Sequence, residues 1–86
     1  MNITKTEVLS RLQIIFDELF FDEIFVTPEL SAHDVEEWDS LLHISLVVTI
    51  EEVFKIRFHV GEVEATKNVG EFADLIVQRT NESVYA

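Results

Sequence analysis

The run Glu36-Glu37-Trp38-Asp39-Ser40-Leu41-Leu42 decides how the chain reads. It closes an acidic stretch and opens an apolar one. Asp39 is suited to cap a helix, because its carboxylate can accept a hydrogen bond from an amide of the first turn. Ser40 then falls on that turn with its hydroxyl exposed. The spacing predicts one helix over residues 40–54. At about 100° per residue, Leu42, Leu46, Val47, Ile50, Val53 and Phe54 gather on one side, with His43 among them. Leu41, Ile44 and Val48 fall opposite, beside Ser45, Glu51 and Glu52. A helix apolar nearly all round cannot be buried on every side in an 86-residue chain. The second strip is therefore expected to be partly exposed, and an exposed apolar strip with acidic neighbours marks a partner surface. The residues assigned to it are Leu41, Ile44, Val48, Glu51 and Glu52.

Working outward, a first helix is expected from about Lys5. Thr4 and Glu7 have capping-box spacing, and Val8, Leu9, Leu12, Ile15, Phe16, Leu19 and Phe20 line one face. Ile14 is the apolar exception on the polar face. From Phe21 to Asp39 the periodicity fades and Pro28 breaks any helix that reaches it. This long connection reads as a packed loop, with Phe25 and Leu30 covering one end of the core and a short turn within 31–36. After Phe54, the KIRFHV segment (Lys55–Val60) reads as an extended connection that tucks in Ile56 and Phe58. A short third helix is expected over 61–65. Asn68 and Glu71 then suit the start of a last helix, with Val69, Phe72, Leu75 and Ile76 facing inward and its end near Arg79 or Thr80. Residues 81–86 read as a frayed tail on a core of about 4–80. The whole is one all-α domain over residues 1–86.

Composition narrows the function. Asp and Glu outnumber Lys and Arg 17 to 6, a formal charge of −11. That disfavours nucleic acid and anionic membrane surfaces, and it suits salt-sensitive docking on basic protein patches. Cysteine is absent, so there is neither a disulfide framework nor a thiolate metal site. Any thiol the function needs must come from outside the chain. No signal-peptide pattern or bilayer-length apolar run is evident, and the cytoplasm is the expected location.

Two kinds of chemistry are conceivable at the central run. Asp34, Glu36, Glu37 and Asp39 cluster in sequence, but the glycine of a calcium loop is missing and Trp38 sits inside the run. His33, His43 and His59 lack zinc-like spacing. No metal site is expected, and the acids read as a solvated loop. A catalytic role for Ser40 would need an oriented base and an oxyanion hole. Asp39 is committed to the cap, and His43 turns toward the core with no third group to orient it. No catalytic residue is assigned. Ser40 reads instead as a point of attachment.

Asp39-Ser40-Leu41, followed by a helix that ends Ile50-Glu51-Glu52-Val53-Phe54, resembles the acyl carrier proteins and the wider phosphopantetheine-carrier family. The likeness covers nearly the whole chain, including the Thr66-Lys67-Asn68-Val69 turn. It implies a four-helix bundle with a long loop between helices one and two and a short third helix. It also implies a carrier, itself not an enzyme, that holds acyl, aminoacyl or related intermediates as thioesters. The implied cofactor is a 4′-phosphopantetheine arm taken from coenzyme A and joined to Ser40 through a phosphodiester. Implied partners are a magnesium-dependent phosphopantetheinyl transferase, an acyl- or aminoacyl-loading ligase and a downstream synthase or transferase. The chain is expected to act as a monomer. Leu42 and Ser45 stand where members serving fatty-acid synthesis carry acids, and Val53 replaces a third acid. Trp38 before Asp39 looks like discrete carriers of specialised pathways, with an unusual acyl group or an amino acid as cargo. Trp38 and His43 are placed at the rim around the arm. The rival from another class is an acidic helical adaptor that uses the same strip with Ser40 unmodified.

Overall fold

Thr4 opens the first helix, its hydroxyl accepting from the Glu7 amide at 3.2 Å. Only half of the expected capping box is seen there, since the Glu7 carboxylate turns to Arg11, one helical turn on. The computed structural model describes residues 3–59 and 61–82. Among these the regular elements are α1 (Lys5–Leu19), a 3₁₀ turn (Ala32–Asp34), α2 (Ser40–Phe54) and α3 (Val69–Glu82). α1 packs on both α2 and α3. The seam is built from Val8, Leu12 and Phe16 of α1, Leu46 and Ile50 of α2, and Phe72 and Ile76 of α3. Burial of each such side chain stabilises the bundle by about 1.5–3 kcal/mol.

α2 has the bounds the sequence predicts. Its face is narrower than expected, because Val53 is 43% exposed while Leu46, Ile50 and Phe54 are buried. The helix ends where Lys55 takes a left-handed conformation, φ 58°, and the amides of Lys55 and Ile56 both close on the Glu51 carbonyl. Ile56 is buried and Phe58 packs against the core, as expected of the connection.

Three expectations are corrected. Residues 61–65 form a turn, not a third helix. One helical bond is present, Ala65 N–H to Gly61 O at 3.1 Å, and the next, Thr66 to Val63, is already of the tighter kind. Gly61 sits at φ +86°, outside helical space, so nothing propagates from so short a nucleus. α3 runs on through Asn81 and Glu82, where the Asn81 side chain accepts from the Ile3 amide at 3.0 Å. The rest of the proposed tail, 83–86, lies outside the described residues. Phe25 does not cover the core and is 71% exposed. Its neighbours Ile24 and Val26 pack inward, and in an extended segment the residue between them faces out. Leu30 does pack against the core.

The start of α3 is held by the long loop. The Val69 amide donates to the Leu30 carbonyl at 2.7 Å and the Gly70 amide to Pro28 at 2.8 Å. These loop carbonyls satisfy first-turn amides that have no partner within the helix.

Candidate functional site

The Asp39 carboxylate accepts from the Leu42 amide at 2.9 Å and its carbonyl from the His43 amide at 2.9 Å. Both ends of the cap are therefore made, and Ser40 is fixed as the first residue of α2 with its side chain exposed. It opens onto a hollow of 330 Å³ lined by Ala32, Trp38, Asp39, His43 and Ile44. Ala32, Trp38 and His43 also line a larger cleft of 520 Å³ that continues over Val63 and Phe72 to Glu64 and Lys67. Trp38 and His43 thus stand between the two spaces.

Their geometry excludes a simple Ser–His pair. The Trp38 indole N–H donates to His43 Nδ1 at 3.1 Å, which places the imidazole proton on Nε2. That nitrogen faces the Glu64 carboxylate at 3.5 Å. Both imidazole nitrogens are engaged away from Ser40. Trp38 is held in turn by edge-on contacts with Phe16 and Phe20, ring centroids 5.4 and 5.9 Å away. The structure brings Trp38 and His43 together at the mouth beside Ser40. It also adds Glu64, which sequence spacing had not singled out.

The acids of the central run act separately. Asp34 accepts from the Ser31 amide at 3.1 Å, Glu37 accepts from the amides of Phe21 and Asp22 at 2.6 and 3.1 Å, and Asp39 caps α2. Each supports the backbone locally. Among the described residues no cluster of three or more His, Cys, Asp or Glu side chains could hold a metal ion. No described helix is long and apolar enough to cross a membrane.

On the outer face of α2, Leu41 is 75%, Ile44 60% and Val48 47% exposed. Glu52 is exposed beside them. Glu51 is placed differently, its carboxylate accepting from the Phe58 amide at 2.9 Å and lying 3.8 Å from Arg57. It fastens the connection after α2. The wheel position of Glu51 at the strip's edge does not reveal this, because the amide it meets belongs to a segment without helical period.

No family model matches the chain. It is similar to an acyl carrier protein of Rubrobacter xylanophilus, 36% identical over 75 residues that cover 86% of this chain and 93% of that protein. It is also similar to acyl carrier protein 2 of Ralstonia nicotianae, 31% identical over 70 residues, covering 80% and 86%. The solution structure of a holo acyl carrier protein from Geobacter metallireducens superposes with a TM-score of 0.82 at 41% identity, covering 90% of each chain. With relatives in both sequence and structure matched over most of their length, the chain belongs to the acyl carrier protein family.

Proposed function

We propose that this single domain carries acyl or related intermediates as thioesters on a 4′-phosphopantetheine arm joined to Ser40, and delivers them to partner enzymes. The observation that carries this reading is an exposed serine hydroxyl at a capped helix start whose nearest imidazole is engaged at both nitrogens. Such a serine lacks an internal base and suits modification by a second enzyme. The residues present fit the arm. The hydroxyl is uncovered, the adjoining hollow leaves room beside it, and the positive end of α2 favours a phosphodiester there. The arm supplies the thiol that the cysteine-free chain lacks.

Asp39 positions Ser40 through the cap, and Trp38 and His43 form the wall along which the arm leaves. Leu41, Ile44, Val48 and Glu52 form the face offered to the transferase, the loading ligase and the accepting synthase. Glu51 contributes less to that face, since its carboxylate is occupied by the Phe58 amide.

The test is to incubate the protein with coenzyme A, magnesium and a broad-specificity phosphopantetheinyl transferase, and to weigh it. One arm's mass is expected on the wild type and none on Ser40→Ala. An unchanged mass, or a gain that survives Ser40→Ala, overturns the proposal.

A further inference from the structure

Ala32, Trp38 and His43 line both the hollow beside Ser40 and the larger cleft over Val63 and Phe72. Across this divide the Trp38 indole N–H donates to His43 Nδ1 at 3.1 Å. The bond requires a neutral imidazole. Nδ1 must offer its lone pair, so the one ring proton sits on Nε2, which faces the Glu64 carboxylate at 3.5 Å.

This joint responds to a proton unequally on its two sides. A proton taken from water has only Nδ1 to go to. The indole N–H and the new Nδ1–H are then both donors, and the bond between the rings is lost. Trp38 cannot adapt, because an indole nitrogen only donates, and His43 is its one hydrogen-bond partner among the described residues. On the other side Nε2–H keeps its place and now carries charge towards Glu64, which strengthens that contact. One proton therefore frees His43 from the loop before α2 and tightens it on the turn before α3. The His43 side chain is 29% exposed, so water reaches it, and imidazoles change charge between about pH 5 and 8.

The other titratable groups lining the two spaces are Asp39 at the cap, His33 of the 3₁₀ turn and Lys67 before α3. Asp39 favours a charged imidazole as Glu64 does, and Lys67 and a protonated His33 oppose it. On the remaining side Phe16 and Phe20 meet Trp38 and bring no charge.

We propose that Trp38, His43 and Glu64 form a proton-operated latch on the wall between hollow and cleft. Neutral His43 holds Trp38, and protonated His43 releases it. For an arm on Ser40 the released wall opens a way into the cleft. That consequence rests on the carrier reading above, whereas the latch itself does not.

The experiment follows the full chain, unloaded and loaded on Ser40, by nuclear magnetic resonance from about pH 8 to about pH 5.5. One tryptophan gives one indole N–H signal. As the His43 ring protonates, that signal is expected to shift and its protection from solvent exchange to fall about tenfold. The change should keep step with the His43 ring and not with His33 or His59. His43→Gln offers an amide oxygen to the same N–H without a titratable group, so its indole signal should hold constant. Glu64→Gln removes the counter-ion of the charged ring and is expected to move the step to lower pH. In the loaded protein, contacts from the arm's methyl groups to Val63 and Phe72 are expected to strengthen across the same step. A His43 ring that stays neutral throughout, an indole signal that holds still while His43 titrates, or the same shift in His43→Gln overturns the latch. A release that brings the arm no nearer to Val63 and Phe72 overturns its role as a gate. A chain that takes up no arm defeats the carrier reading instead, and the unloaded protein still decides the latch.

Discussion

The Trp38 indole N–H donates to His43 Nδ1 at 3.1 Å, and this bond joins the loop before α2 to the second turn of α2 itself. The two rings lie nearly parallel, centroids 6.2 Å apart with an interplanar angle of 25°. His43 carries the link on to Glu64, in the turn before α3. The pair therefore ties together the loop before α2, α2 itself and the turn before α3.

Replacing His43 with Leu should leave the half-buried indole N–H without its acceptor. A loss of about 1–3 kcal/mol is expected in urea unfolding. Trp38→Phe keeps the edge contacts with Phe16 and Phe20 but removes the donor, and should cost less than His43→Leu. Trp38 is the one tryptophan of the chain, so its emission reports directly on the mouth. His43→Leu should shift that emission before unfolding begins. An unshifted spectrum together with unchanged stability would show that the bond does not hold the mouth.

Asp39→Ala should destabilise the protein by about 0.5–2 kcal/mol, because the Leu42 amide loses its acceptor. Asp39→Asn should retain most of the stability, since the amide oxygen can take the same place. The comparison is read from urea midpoints at constant m-value. Equal losses in the two variants would mean that charge at the helix start, not the capping hydrogen bond, is what matters.

The central stretch was legible because cap and period point the same way. An acid before an apolar run set the start of α2, and the alternation after Phe54 marked its end even without a glycine there. The segment 61–65 misled for the opposite reason. Its composition allows a helix, but Gly61 sits at φ +86° and Val63 is buried, and together they fix a turn. Partnerships made across space left no mark in the sequence. His43 and Glu64 are 21 positions apart in the chain, and their contact depends on how that turn seats beside α2. Glu51 occupied the expected wheel position, yet the amide that claims its carboxylate lies beyond the helix. Phe25 looked like core because it is apolar. Ile24 and Val26 turn inward in its place, their backbone held by the Gln13 side chain.

Gly70 lies in the first turn of α3, and alanine should not improve it. Alanine is about 1 kcal/mol better than glycine inside a free helix. Here, however, a Cβ at position 70 would meet the Pro28 carbonyl oxygen at 3.0 Å and Pro28 Cβ at 3.1 Å. The same carbonyl accepts the Gly70 amide at 2.8 Å, so relief of the clash stretches that bond and lifts the loop from α3. Gly70→Ala is expected to destabilise by about 1–3 kcal/mol, read by thermal or urea unfolding. A stabilised variant would show that the loop yields freely and that helix propensity decides.

Acid should weaken the join between the turn and α3. The Glu62 carboxylate accepts from the Arg79 side chain, with Nε at 3.3 Å, and from the His59 amide at 2.6 Å. The Arg79 hydrogen bond first and the His59 amide second hold the Glu62 carboxyl below its ordinary range, and the same pairing raises Arg79. Unfolding frees Glu62 to titrate near its ordinary value, about 4.3. Between that value and the lower folded one the unfolded chain binds more protons, so stability rises with pH across this window. The contribution is complete above the window and is lost as pH falls through the folded value. Urea midpoints measured from about pH 6 down to about pH 3 should fall less steeply on the acid side for Glu62→Gln than for wild type. Arg79→Leu should flatten the same limb, because the main cause of the lowered carboxyl is gone. Acid limbs of equal slope in all three proteins would place the acid sensitivity in the remaining carboxylates and remove this pair from its causes.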